Sequence, residues 1–146
     1  MSNEIQYIGP MTQFPNYNLR QLSVRQPWAS LIASGRKSIE LRSWSTSYRG
    51  PVLIVSGAKP WAGEHGYELG PLGVTLCVVD LVDVRSVQPG DEVAACIVPP
   101  PGYGYAWVLA NPRVVEQRRV RGRVGLTGVP SEWHSSLLTS APETDH

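Results

Sequence analysis

The sequence predicts an α+β domain that is mainly β: a small mixed β-barrel or curled sheet of about six or seven short strands, with one short helix. Three observations carry that reading. Short apolar runs recur between Gly- and Pro-rich breaks, and several alternate with polar residues at the period of a half-buried strand. One segment, Trp28 with Leu31 and Ile32, shows the i, i+3, i+4 stripe of a helix. No strand–helix–strand alternation follows it, which argues against a parallel doubly wound sheet. A chain of 146 residues is sized for one domain, able to bury about 68–70% of its unfolded surface.

Residues 1–18, punctuated by Pro10, Pro15, Asn16 and Asn18, have no period and read as an N-terminal arm. The domain itself is expected over 19–130. Leu22 and Val24 alternate with Gln21, Ser23 and Arg25, giving a half-buried first strand. Pro27 suits the first position of the helix, and Gly35 ends it. Ile39 and Leu41 then point one way while Ser38, Glu40 and Arg42 point the other. Gly50-Pro51 is a break, after which Val52 to Val55 is a short, wholly apolar strand. Residues 57–73 read as a loop with room for a turn of helix. Val74 to Val84 is a long apolar strand broken by Asp80 and Asp83, and 85–104, with Pro99-Pro100-Pro101, is a second long loop. Ala106 to Leu109, Val114 to Val120 and Val124 to Thr127 complete the strands. Loops of this length in a compact domain are more often functional than not. Residues 131–146, mostly Ser, Thr and acids after Trp133, read as a C-terminal tail.

Hydrophobic residues make up 42% of the chain, too many for a disordered one, and charged residues only 17%. The net charge of +1 argues, as an average, against a polyanionic partner. Along the chain the charge is segregated. Residues 19–60 hold seven cations against Glu40 alone, a balance of +6, and 113–123 hold five arginines against Glu116, a balance of +4. An acidic middle and acidic ends offset them. Cys77 and Cys96 sit in apolar runs, away from redox or metal-ligand spacing, and read as free thiols. His65, His134 and His146 are scattered, so no metal site built from His and Cys is expected and no cofactor, which leaves carboxylates as the one way to hold a divalent ion. No stretch is apolar enough to span a membrane, and no signal peptide opens the chain, which points to a cytoplasmic protein.

The chemistry concentrates in Ser23 to Leu31 and in Gly35 to Trp44. Strand parity puts Ser23 and Arg25 on one polar face and Glu40 and Arg42 on another, and neighbouring strands would let the four converge. Lys37 follows the helix-ending glycine, where a long side chain is expected to swing freely. The helix start at Gln26-Pro27 is expected to offer free N–H groups to an anion. Arginine forks and a lysine point charge suit phosphate, and a carboxylate among cations suits a base. From residue types alone, a structural ion pair between Glu40 and Arg42 that orients the barrel mouth is the stronger reading.

The segment LSVRQPWASLIASGRKSIELRSWSTSYRGPVLI strongly resembles the ASCH (activating signal cointegrator 1 homology) domain, whose hallmark is G-x-K-x-x-E-x-R. Gly35, Lys37, Glu40 and Arg42 match that hallmark. Ser23, Gln26, Pro27, Trp28, Ala29, Ser30 and Leu31 match the lead-in to it, with Arg25 in the variable place. Tyr105 to Pro112 and Arg121 to Leu126 are similar to the family's closing strands, so the likeness runs over about 19–130. It points to the coactivator-type branch and its stand-alone bacterial and phage counterparts. The resemblance implies a PUA-like β-barrel with a ligand cleft beside the helix, binding RNA or single-stranded nucleic acid. It also admits a hydrolase: some small members are amidohydrolases of N4-acetylcytidine, and ribonuclease activity is attributed to others. The amidohydrolase branch carries K-x-x-T, whereas here Glu40 stands three residues after Lys37.

Lys37, Glu40 and Arg42 are therefore the candidate catalytic set. Ser23, Arg25, Gln26, Arg36, Arg49 and Lys59 are candidate nucleic-acid contacts, with Trp44, Tyr48 and Trp61 as stacking candidates at strand ends or in loops. Trp28, on the helix stripe, and Trp107, inside a strand, read as core. Parity would put Arg119, Arg121 and Arg123 on one strand face as a strip tracking the backbone, if Gly122 makes no bulge.

Overall fold

A computed structural model of the chain describes residues 19–129, so the expected arm and tail lie outside the described residues. Six strands make one curled sheet, an open half-barrel. They are β1 (Arg20–Val24), β2 (Ile39–Arg42), β3 (Gly50–Ser56), β4 (Thr75–Ser86), β5 (Tyr105–Val114) and β6 (Leu126–Gly128). Their order is β2-β5-β4-β3-β1-β6, antiparallel throughout except for the parallel β1–β3 pair.

Helix α1 (Trp28–Ala33) ends where Gly35 takes φ +85°, a conformation that disfavours any side chain, and returns its N–H to Ile32 O at 3.0 Å. Its apolar stripe fills the inside of the curl with Leu22, Val24, Ile54, Leu81 and Trp107. The run Val52 to Val55 is wholly apolar because β3 is buried on both faces. Val52 and Ile54 face the inner core, while Leu53 and Val55 face a second cluster with Leu19, Val78 and Val115. Trp28 and Trp107 are core residues, as expected, at 6% and 0% exposure.

Four expectations are corrected. β1 and β2 are not neighbours: they lie near opposite ends of the sheet, because β2 pairs with β5 and β1 with β3. Residues 85–104 are not all loop. β4 runs on to Ser86, and a second helix, α2 (Asp91–Ala95), packs on β2, where Ala95 joins Ile39, Leu41 and Ala106 in a third cluster. Val114 to Val120 is not a strand. Beyond β5 the chain crosses the sheet end, tied by Thr75 N–H to Arg118 O (3.0 Å), Val120 N–H to Gly73 O (3.0 Å) and the bridge between Val74 and Arg119. Asp80 does not break β4 either. It is buried within it and pairs at 3.1 Å with the buried Arg113, so one cation of the second basic segment belongs to the core.

Candidate functional site

The open side of the half-barrel, between β2 and the β1 end, holds a cleft of about 750 Å³, within the size range of ligand pockets. Its floor is a row of three side chains. Lys37 Nζ lies 3.6 Å from Glu40 Oε1, and Arg42 Nη2 lies 3.1 Å from Glu40 Oε2. Lys37 reaches the row from the turn after α1, while Glu40 and Arg42 share one face of β2 by strand parity.

Lys37 is 2% exposed and does not swing. Its ammonium donates to Ala95 O at 2.6 Å, at the carboxyl end of α2, and sits 5.2 Å from the centroid of the Trp28 ring. Helix ends leave carbonyls without partners inside the helix, and a cation satisfies one here. Burial pulls the Lys37 pKa below its ordinary value, and Glu40 opposes the shift. Arg42 Nη2 also donates to Ser23 O at 2.8 Å, so a single guanidinium joins β2 to β1 across the opening. Thus Ser23 and Arg42 do meet, but by curling of the sheet rather than by strand pairing.

A family model described as the ASCH domain matches residues 22–119. The chain belongs to the ASCH domain family. Two curated relatives are similar to it: activating signal cointegrator 1 of Homo sapiens at 30% identity, and that of Mus musculus at 28%, each over 131 residues and 77% of this chain. The aligned region is 22% of each relative, so the chain spans about a fifth of their length. The fold is that of ASCH from Zymomonas mobilis, with a TM-score of 0.63 at 13% identity, covering 82% of this chain and 93% of that one. A variant of the same protein matches with a TM-score of 0.61 at 13% identity, covering 79% and 92%. The half-barrel is therefore the PUA-like fold of the ASCH family.

In this ASCH domain the hallmark side chains Lys37, Glu40 and Arg42 form the floor. Arg25 at the end of β1, Lys59 from the β3–β4 loop, and Arg121 and Arg123 from the segment after β5 line the same cleft and are exposed. The latter segment lies close against β1. Arg123 N–H donates to Ser23 Oγ at 3.2 Å, and a Cβ on Gly122 would stand 3.2 Å from that oxygen, so a side chain there would crowd it. Arg121 and Arg123 reach the cleft from irregular chain, not from a strand face, and Arg119 does not line it. Trp61 does line it, meeting Trp28 and Tyr103 edge-on with ring centroids at 6.2 and 6.0 Å.

The other expected contacts stand elsewhere. Gln26 is fully buried: it donates to Ser30 Oγ (2.7 Å) and Pro71 O (2.9 Å) and accepts the Ser30 N–H (2.9 Å). That bond, with Trp28 and Ala29 N–H on Arg25 O, takes up the helix-start donors expected to be free for an anion. Trp44 packs edge-on against Trp107 at 4.7 Å. The Tyr48 hydroxyl donates to Pro51 O at 2.7 Å, and burial pushes its pKa up to about 12. Arg36 lies 5.4 Å over the Tyr67 ring, and Arg49 donates to Thr46 O and Tyr48 O at 2.9 and 2.8 Å. None of these five lines the cleft.

Tyr103, Ile97 and the Ala95 carbonyl were not among the expected site residues. A signal for the Ala95 carbonyl was Gly90-Asp91-Glu92, a glycine before two acids, which suits the start of a short helix; Ile97 and Tyr103 lie in the loop beyond it. Among the described residues no group of three or more His, Cys, Asp or Glu is placed to hold a metal, and no helix is long and apolar enough to cross a membrane.

Proposed function

We propose that this ASCH domain binds RNA or single-stranded nucleic acid in its cleft without turning it over. The observation that carries the reading is convergence. Cations from both basic segments, Arg25 and Lys59 from the first and Arg121 and Arg123 from the second, line one cleft together with Trp61 and Tyr103. Exposed cations at a mouth suit phosphates, and aromatic rings contribute about 1–3 kcal/mol per stacked base. Affinity is expected in the micromolar range and to fall with salt. Single-strand binding loses about 0.7 in log affinity per phosphate contact for each unit of log salt, so four such contacts give a slope near 3. Fluorescence anisotropy with labelled single-stranded RNA and DNA across a salt series measures it; binding unchanged by salt would overturn the reading.

A second reading, an RNA-directed hydrolase, has one observation in its favour: the Glu40 carboxylate lines the cleft between two cations. Glu40 would be the base, with Lys37 and Arg42 stabilising developing phosphorane charge. Against it, each Glu40 oxygen already faces a cation, an arrangement suited to holding the floor together. Amidohydrolysis of a modified nucleoside is further disfavoured, because Glu40 occupies the place of the nucleophilic threonine. Incubation of the RNA with and without magnesium decides between the readings: cleavage abolished by Glu40→Gln, with binding retained, would establish the hydrolase.

A further inference from the structure

We propose that the floor of the cleft reads the imide edge of an unpaired uracil or thymine base. This rests on the nucleic-acid reading above and specifies what the cleft selects. Lysine and arginine carry donors and no acceptor, while an ionised carboxylate accepts and cannot donate. The row Lys37, Glu40, Arg42, with spacings of 3.6 and 3.1 Å, is therefore donor, acceptor, donor whatever rotamers its members adopt. An amide in the middle place would be ambiguous. A carboxylate is not.

The complement of that row is acceptor, donor, acceptor. Uracil and thymine present it as carbonyl, ring N–H, carbonyl. Cytosine presents an amino donor followed by two acceptors, and guanine an acceptor followed by two donors. Cytosine would set like groups against two members of the row and guanine against one, leaving buried polar groups unsatisfied, which is the strongest source of discrimination in a desolvated site. Adenine's amino group has a ring nitrogen on either side, but those acceptors diverge around two fused rings instead of lying side by side.

The row has capacity to spare. An ammonium has three donors, and Lys37 gives one to Ala95 O and turns one toward Glu40, which leaves one. Arg42 uses Nη2 on Ser23 O and Glu40, and its side chain is 20% exposed, so part of the guanidinium remains open to the cleft. The polarity of the cleft also changes with depth as a nucleotide's does when it enters base first. The floor residues Lys37 and Glu40 are buried, Trp61, Ile97 and Tyr103 line the walls half-buried, and the four rim cations are exposed. A paired base has its imide edge occupied, so the floor selects single strands, loops or ends over duplex.

The test uses the unaltered chain and five labelled octamers: rU, dT, rC, rA, and rU methylated at N3 of every base, which removes the imide donor and leaves charge and sugar unchanged. The expected result is that rU or dT binds at least tenfold tighter than rC and rA, and that N3-methylation weakens rU at least tenfold. Tight binding of only one of rU and dT supports the proposal and identifies the nucleic acid that supplies the base. Equal binding of rU and its N3-methylated form, or of rU, rC and rA, overturns the imide reading while leaving the salt-sensitive cleft standing. Absence of salt-sensitive binding to every octamer overturns both.

Discussion

Lys37 is where burial and charge conflict most directly. Its ordinary pKa is 10.5, and burial sets the folded value lower. Between the folded value and 10.5 the unfolded chain therefore binds more protons than the folded one, and stability rises with pH. The cost of holding the ammonium in the protein is fully present below the folded value and is relieved as pH climbs toward the unfolded one. Denaturant unfolding of the wild type and Lys37→Met at intervals from neutral pH upward should show this rise in the wild type and lose it in the variant; parallel curves would refute it. A second buried ion pair behaves differently, since Asp80 and Arg113 are both 0% exposed in their side chains. Asp80→Ala leaves the Arg113 guanidinium short of its counter-charge and should cost about 3–5 kcal/mol of unfolding free energy. It should do so without changing the salt slope of binding, because neither residue lines the cleft.

At the level of elements, the β3–β4 loop depends on α1. Gln26 binds Pro71 O through its side chain and accepts Trp61 N–H through its own carbonyl at 2.8 Å, so one buried residue holds both ends of the segment that carries Lys59 and Trp61. Gln26→Ala removes the bonds to the Ser30 N–H and the Pro71 carbonyl, which are only partly buried, at about 0.5–1.5 kcal/mol for each hydrogen bond lost. It should weaken oligonucleotide binding and alter Trp61 emission even at temperatures where circular dichroism shows the variant folded. The strands and α1 were legible in the sequence because their periods are local: Ile39 and Leu41 against Glu40 and Arg42 needs only four residues, and the Trp28 stripe ends on a glycine. Only the start of α2 was legible, in Gly90-Asp91-Glu92; five residues carry too little pattern to mark a whole helix off from a Pro- and Gly-rich loop. The commitments of Gln26, Tyr48 and Arg113 were hidden for a different reason. Each is set by a partner brought in by tertiary folding, and residue type alone does not separate a polar side chain facing a ligand from one facing the backbone.

Over the whole molecule, the near-neutral net charge of +1 conceals a local concentration. Part of the second basic segment is spent on structure: Arg113 on Asp80, and Arg118 on Glu116 at 3.2 Å. Arg119 does not line the cleft, so what remains for a ligand is Arg121 and Arg123, which line it together with Arg25 and Lys59. Replacing Arg121 and Arg123 together with alanine should lower affinity and reduce the salt slope by about 1.4, two contacts' worth, with little effect on base preference. A variant that lost affinity at an unchanged slope would show that these arginines act by packing and not through phosphate.

The motif from Ser23 to Arg42 is contiguous in sequence, yet its two strands, β1 and β2, lie near opposite ends of the sheet, and Arg42 joins them across the opening by its bond to Ser23 O. Every strand between them must be in place before that contact exists. The closed cleft is thus an output of completed folding, although the Lys37–Glu40 pair on its floor is local. A peptide covering 19–60 would carry every hallmark residue and still lack the site, and ligand binding should appear during refolding only as fast as the last strand pairs close.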